Sequence, residues 1–142
     1  MARVKIPLPD IWSHRHALIV RITDVNYGGH VGNNTLLAYL QEARVDWLRR
    51  LGYPSELLAP PVGLILVDLA VRLKAEAKHG DALEVRLAVA EWTRTGFELV
   101  YQVARPADDA EIARATTGFT FFDYTARRMA AAPAGFREKT GG

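Results

Sequence analysis

A chain of 142 residues, 49% hydrophobic and 24% charged, has the make-up of one folded domain; it is too apolar for a disordered segment and long enough to bury a core without staples. Its net charge of +2 and pI near 9.1 come without blocks of Lys or Arg, which argues against a nucleic-acid surface while leaving room for a small anionic ligand. There is no cysteine, hence no disulfide or thiolate chemistry; no run reaches the ~18 apolar residues of a membrane span, and Met1 to Pro7 carries no signal-like segment, so a single cytoplasmic domain over 1–142 is expected.

The first regular segment is Ala17 to Ile22, β-branched and of strand length. A polar, glycine-bearing loop from Thr23 to Asn33 leads into one helix of about 17 residues, whose apolar stripe is Leu36, Leu40, Ala43, Trp47 and Leu51, widened by Leu37 and Leu48. Asn33 or Asn34 is placed to cap its start, and Gly52 and Pro54 end it. The period then changes to two. From Ile65 to Lys74 every odd position is a large aliphatic, so this strand is expected to carry one fully apolar face. Lys78 to Asp81 makes a turn, Leu83, Val85, Leu87 and Val89 form the next alternating face, and Arg94 to Gly96 turns the chain again. Phe97 to Val103 and a last strand from about Ile112 to Tyr124 complete the set, with a tail beyond Ala126 expected to be loosely attached.

One strand, one helix and four antiparallel strands make an α+β sheet with a lone helix on one face. A single helix cannot cover five strands, and the opposite face is expected to carry Leu64, Leu66, Ala88 and Trp92. A symmetric second copy is the simplest cover, giving a homodimer or a dimer-of-dimers tetramer.

The order strand, Asp24-x-Asn26-x-x-Gly29-His30-Val31-x-Asn33-Asn34, then a helix bearing Glu42-Ala43-Arg44-x-x-Trp47-Leu48-x-x-Leu51-Gly52, resembles the 4-hydroxybenzoyl-CoA thioesterase-like branch of the hotdog-fold thioesterases. Lys78 to Val85 resembles that family's Gly-Asp turn, and the likeness covers about 16–124. The resemblance implies a five-stranded antiparallel sheet wrapped around one long helix and hydrolysis of a small-molecule acyl-CoA by activated water, with coenzyme A present only as part of the substrate. It also implies an aspartate four residues before the histidine and often a glutamate three before the helix arginine; here those positions are Asn26 and Gln41. The alternative function is therefore an acyl-CoA-binding hotdog protein with impaired catalysis.

Thioester hydrolysis needs an activated water and a home for the charge on the carbonyl oxygen. A glycine loop ending at a helix N-terminus offers the second through Gly28, Gly29 and open N–H groups. For the base, Asp24 is the first candidate: on extended chain it projects from the same side as Asn26, which would orient the water. Asp68, alone among aliphatics on its strand, is the second, although such a residue more often pairs with an arginine such as Arg72. His30 either anchors the loop and touches substrate or serves as base. Asp24, Asn26 and His30 thus form the candidate catalytic set, and Tyr27, Gly28, Gly29, Asn34, Gln41, Asp68 and Arg72 the candidate substrate contacts. Arg72, Lys74 and Lys78 are candidates for the phosphates, whereas Glu42 and Arg44 read as helix-surface or subunit-contact residues. His14, His16 and His79 show no ligand-like spacing, so no metal is expected.

Overall fold

The computed structural model describes residues 3–141. Its main elements are β1 (His14–Ile19), a short 3-10 turn (Ile22–Asp24), α1 (Asn33–Arg50), β2 (Val62–Leu73), β3 (Ala82–Trp92), β4 (Gly96–Arg105), β5 (Ala110–Asp123), the two-residue β6 (Arg128–Met129) and a one-turn α2 (Phe136–Lys139). The sheet is antiparallel, with order β1-β3-β4-β5-β2 and β6 added beside β5. This is the α+β, hotdog arrangement expected, with six strands instead of five. Among the described residues no helix is long and apolar enough to cross a membrane.

The helix forms where its stripe dictates: Leu36, Leu40, Ala43, Trp47 and Leu48 are buried, joined by Tyr39 and by Arg44. It ends in a Schellman closure. Gly52 takes φ +99°, its N–H reaches Arg49 O, and Tyr53 N–H reaches Leu48 O. The start departs from expectation. Gly32 occupies the cap and Asn33 and Asn34 already lie in the first turn, so no side chain caps the helix.

Strand β1 begins three residues earlier than expected, because His14 and His16 continue the inward alternation of Leu18. It also stops earlier, since the Asp24 carboxylate accepts the Arg21 N–H at 2.9 Å and draws Ile22 to Asp24 into a 3-10 turn. In β2 the single apolar face is broken. A bulge between Leu66 and Asp68 makes Val67 an extra residue, so Leu64 and Leu66 face the helix before it, and Leu69, Val71 and Leu73 after it. A similar shift between Val89 and Glu91 carries Trp92 to the helix side, where its ring meets Phe97 and Phe136. Of the four residues assigned to the opposite face, Ala88 alone belongs there. It is covered by the chain's own N-terminal segment, through Ile6, Leu8 and Trp12.

Beyond Ala126, expected to be loosely attached, the chain docks: β6 pairs with Phe122 and Asp123, and Phe136 is fully buried among Tyr53, Trp92, Phe97 and Phe121. No periodicity marked this segment, because its burial rests on two separated residues, Phe136 after an Ala-Pro-Gly run and Thr140.

On the face away from α1, Glu111 accepts from Lys74 at 2.7 Å, from Arg114 at 2.8 Å, and from Gln102. Burial alone would raise its pKa, but these donors outweigh it and hold the carboxyl at about 2. A depressed carboxylate pKa contributes stability that is complete above the unfolded value near 4.5 and lost as pH falls toward 2. Glu111→Gln is therefore expected to lower stability by up to about 3 kcal/mol at pH 7 and to converge with the unmodified protein near pH 2. Urea unfolding at a series of pH values measures this, and a pH-independent difference would contradict it.

Candidate active site

The loop is a closed hairpin. Val25 and Val31 pair, Asn26 N–H donates to His30 O at 3.0 Å, and Val31 N–H donates to Ala77 O at 2.9 Å. Asn26 Oδ1 accepts the Gly28 N–H at 2.9 Å and Asn26 O accepts the Gly29 N–H at 2.9 Å, so both glycine donors are consumed by the turn. Gly29 has φ +82°, a conformation that L side chains rarely adopt. Tyr27 is fully exposed at the tip. His30 is half-buried, with Nε2 3.9 Å from Glu76 Oε1.

The pairing of Asp24 with Asn26 does not form, because the chain at Asp24 is a 3-10 turn and not extended. Asp24 is buried, and its Oδ2 accepts both the Arg21 N–H and the Tyr39 hydroxyl (2.8 Å), whereas Asn26 is exposed. Burial alone would raise the Asp24 pKa; the bonds from Arg21 and Tyr39 and the Arg21 charge outweigh it, leaving the carboxyl below the usual range. A carboxylate so held is a buried anchor between loop and helix and a weak proton acceptor. Asp68 and Arg72, candidate substrate contacts, lie outside the cleft beside α1. The bulge at Val67 turns both to the face away from α1, where Asp68 lies over Gly118 and its charge helps to raise the pKa of Glu98, behind the larger effect of burial.

The open donors lie at the helix start. The N–H groups of Asn33, Asn34 and Thr35 meet no acceptor among the described residues, because Gly32 supplies no side chain and the first helical bond is Leu36 N–H to Gly32 O. From there a cleft of about 740 Å³ runs between α1 and the β2–β5 side of the sheet, lined by Asn34, Leu37, Ala38, Gln41 and Arg44 on one side and by Leu64, Leu66, Leu69, Thr117 and Phe119 on the other. A smaller cavity of about 310 Å³ adjoins the loop at His30, Gly32, Asn33, Lys74 and Glu76. The apolar walls suit an acyl chain, and the helix N-terminus suits a developing negative charge.

The cleft holds a carboxylate that the sequence reading passed over. Glu56, from the loop after α1, accepts from Gln41 Nε2 at 2.9 Å and from Arg44 Nε at 2.7 Å. Arg44, expected on the surface, is buried; it donates from Nη1 to Tyr101 OH at 3.0 Å and lies over the Phe119 ring, and Tyr101 OH shares a 2.7 Å bond with Thr117 Oγ1. Burial alone would lower the Arg44 pKa, but the oxygens of Tyr101 and Glu56 outweigh it and raise it above its ordinary value, so the guanidinium is charged. Burial pushes the Tyr101 hydroxyl upward, so it stays neutral beside that charge. Gln41 therefore does not replace a missing glutamate in isolation, because it orients one supplied from twelve residues beyond Arg44. No local motif marks Glu56, since its position depends on how the 52–58 loop folds back over the helix.

Structural comparison places the chain beside a 1,4-dihydroxy-2-naphthoyl-CoA thioesterase from Synechocystis (23% identity, 90% of this chain and 95% of that one, TM-score 0.82). A hypothetical protein from Thermus thermophilus matches at 26% identity over 91% and 98% of the two chains (TM-score 0.81). A Staphylococcus aureus protein in complex with CoA matches at 14% identity over 95% and 86% (TM-score 0.82). Among curated proteins, none matches the chain. The family model of the thioesterase-like superfamily matches residues 20–140, almost all of the fold just described, and the chain belongs to that superfamily.

Proposed function

We propose that the chain hydrolyses a small-molecule acyl-CoA thioester in the cleft beside α1. The observation that carries this reading is the co-location, in one apolar cleft, of Asn34 at the open helix N-terminus and a carboxylate held by an amide and a buried guanidinium. Family membership supports the reaction type, and the neighbouring protein in complex with CoA supports the substrate class.

In this reading the thioester oxygen sits at the N–H groups of Asn33 to Thr35, where the helix dipole favours the oxyanion. Gln41 lies about 10 Å along the axis from Asn34, and helical side chains lean back toward the N-terminus, which carries the Gln41 amide toward the open donors; Glu56 is held between Gln41 and Arg44. Glu56 takes a proton from water, the water oxygen bonds to the carbonyl carbon, the C–S bond breaks, and the departing sulfur takes that proton from Glu56, which gives free coenzyme A and the acid and restores the carboxylate. Each Glu56 oxygen accepts one bond in the resting site, which leaves lone pairs for that water. Asn26, Tyr27 and His30 serve at the mouth, where they contact the coenzyme arm. A second copy over the exposed Leu66, Val67, Leu69 and Leu73 of edge strand β2 would close the cleft, and light scattering should give the mass of at least two chains.

The test is release of free thiol from short, medium, long and aromatic acyl-CoAs. Turnover above background for at least one is expected, and none across the panel would sink the proposal. The alternative, binding without hydrolysis, draws on Asn26, whose amide oxygen is occupied by Gly28. It requires acyl-CoA binding by calorimetry in a protein without turnover, with turnover appearing in Asn26→Asp; we expect the unmodified chain to turn over and Asn26→Asp to change its rate by less than about tenfold, because position 26 holds a turn.

A further inference from the structure

Away from the cleft, the fold brings together two histidines of β1 and an aspartate of α1. His14 and His16, two residues apart, project from one side of the edge strand toward Asp46. His14 Nε2 is 2.8 Å and His16 Nδ1 3.4 Å from Asp46 Oδ2, and one ligand atom from each residue lies within 4.8 Å of the others. We propose that His14, His16 and Asp46 form a three-ligand site for a divalent transition-metal ion of the zinc type, which clips β1 to α1.

Three observations carry this. The first is spacing. Bonds of ~2.1 Å in tetrahedral array set neighbouring ligand atoms about 3.4 Å apart, so the His16–Asp46 separation already fits and the His14–Asp46 pair needs to open by about half an ångström. The second is chemistry: two imidazoles with one carboxylate select zinc, nickel, cobalt or copper over magnesium and calcium, which want oxygen alone. The third is access. The side chains are 9%, 23% and 30% exposed, so protein supplies three ligands and solvent can supply the fourth. Arg50 also approaches Asp46 Oδ2, at 3.2 Å, but its side chain is 71% exposed and free to swing, and Asp46 Oδ1 makes no hydrogen bond among the described residues. The carboxylate can thus serve ion and guanidinium on separate oxygens. The ligand spacing was invisible in the sequence because the third ligand comes from another element, thirty residues on.

The consequence is mechanical. Among the described residues β1 is an edge strand paired only to β3, and an ion shared with α1 would fasten it through its helix-facing side chains. The test uses the full chain without an affinity tag, with Zn²⁺ in calorimetry and Co²⁺ in visible absorption. One ion per chain should bind, raise the melting temperature, and give a cobalt spectrum of low coordination number. His16→Gln and Asp46→Asn should each weaken Zn²⁺ by at least about tenfold and abolish the thermal shift, whereas His79→Gln, in an exposed turn, should bind as before. Mg²⁺ should do nothing. Absence of Zn²⁺ binding by the unmodified chain, or binding undiminished in both His16→Gln and Asp46→Asn, would overturn the proposal.

Discussion

Glu56→Gln is expected to reduce thiol release by about 10²–10⁴-fold, the range for loss of a positioned general base. The amide keeps the shape of the side chain. Its oxygen can still accept from Arg44 Nε, and its NH₂ can face Gln41 once that amide rotates. What disappears is the capacity to take a proton. Arg44 loses a charged acceptor, at a cost of about 1–3 kcal/mol, yet retains Tyr101 and the Phe119 ring, so the variant should fold. Calorimetry with a non-hydrolysable acyl-CoA analogue should give affinity close to that of the unmodified protein. Asp24→Asn should behave in the opposite way. Its amide cannot reproduce both bonds to Oδ2 as a charged acceptor, so stability falls by about 1–3 kcal/mol while the rate per folded molecule stays within a few-fold. An unchanged rate in Glu56→Gln, or a lost rate in a well-folded Asp24→Asn, would return the base to the loop.

The largest loss of stability is expected from Gly96→Ala. A Cβ on Gly96 would overlap the carbonyl oxygen of Phe119 and lie 2.7 Å from its carbonyl carbon and 2.9 Å from Thr120 Cα. These are backbone atoms of β5 paired to β4 in the middle of the sheet, and they cannot turn aside as a side chain does. Either the strands part at this end, exposing Phe97 and Phe119, or the turn at 93–96 is rebuilt. We expect a loss of at least about 3 kcal/mol, above the usual range for surface changes. Gly118→Ala is the control. There the new methyl would meet the Asp68 carboxylate, an exposed side chain that can rotate away, and a loss of about 1 kcal/mol or less is expected. Denaturant titration of the two variants separates them, and equal losses would show that backbone overlap is not the cause.

The contrast between these residues also explains what the sequence disclosed. Periodicity exposed α1 and four of the strands because burial repeats along them, and the loop-helix motif set the candidate site at Asp24 to His30 with Asn34 and Gln41 of the helix beside it. It misplaced Asp24 and Asn26 because a single side-chain bond, Arg21 N–H to Asp24, converts an extended stretch into a turn and sends the two side chains apart. Asp68 and Arg72 were misplaced by a bulge, and Arg44 was read as surface because a charge on a helix normally is. Glu56 and the His14–His16–Asp46 cluster stayed hidden for one common reason: each is defined by residues from separate elements, and no spacing along the chain encodes their meeting.

The bulge in β2 bears on how this chain is to be aligned and altered. Val67 has no partner in β5, whereas Leu66 and Asp68 face consecutive residues, Phe119 and Gly118. Deleting Val67 would therefore leave a regular strand in which Leu64, Leu66, Leu69 and Val71 keep their present sides. Position 67 is the point where β2 can lose a residue without reversing its faces; a gap placed after Asp68 would put Asp68 against the helix, and one placed before Leu64 would turn Leu64 and Leu66 away from it.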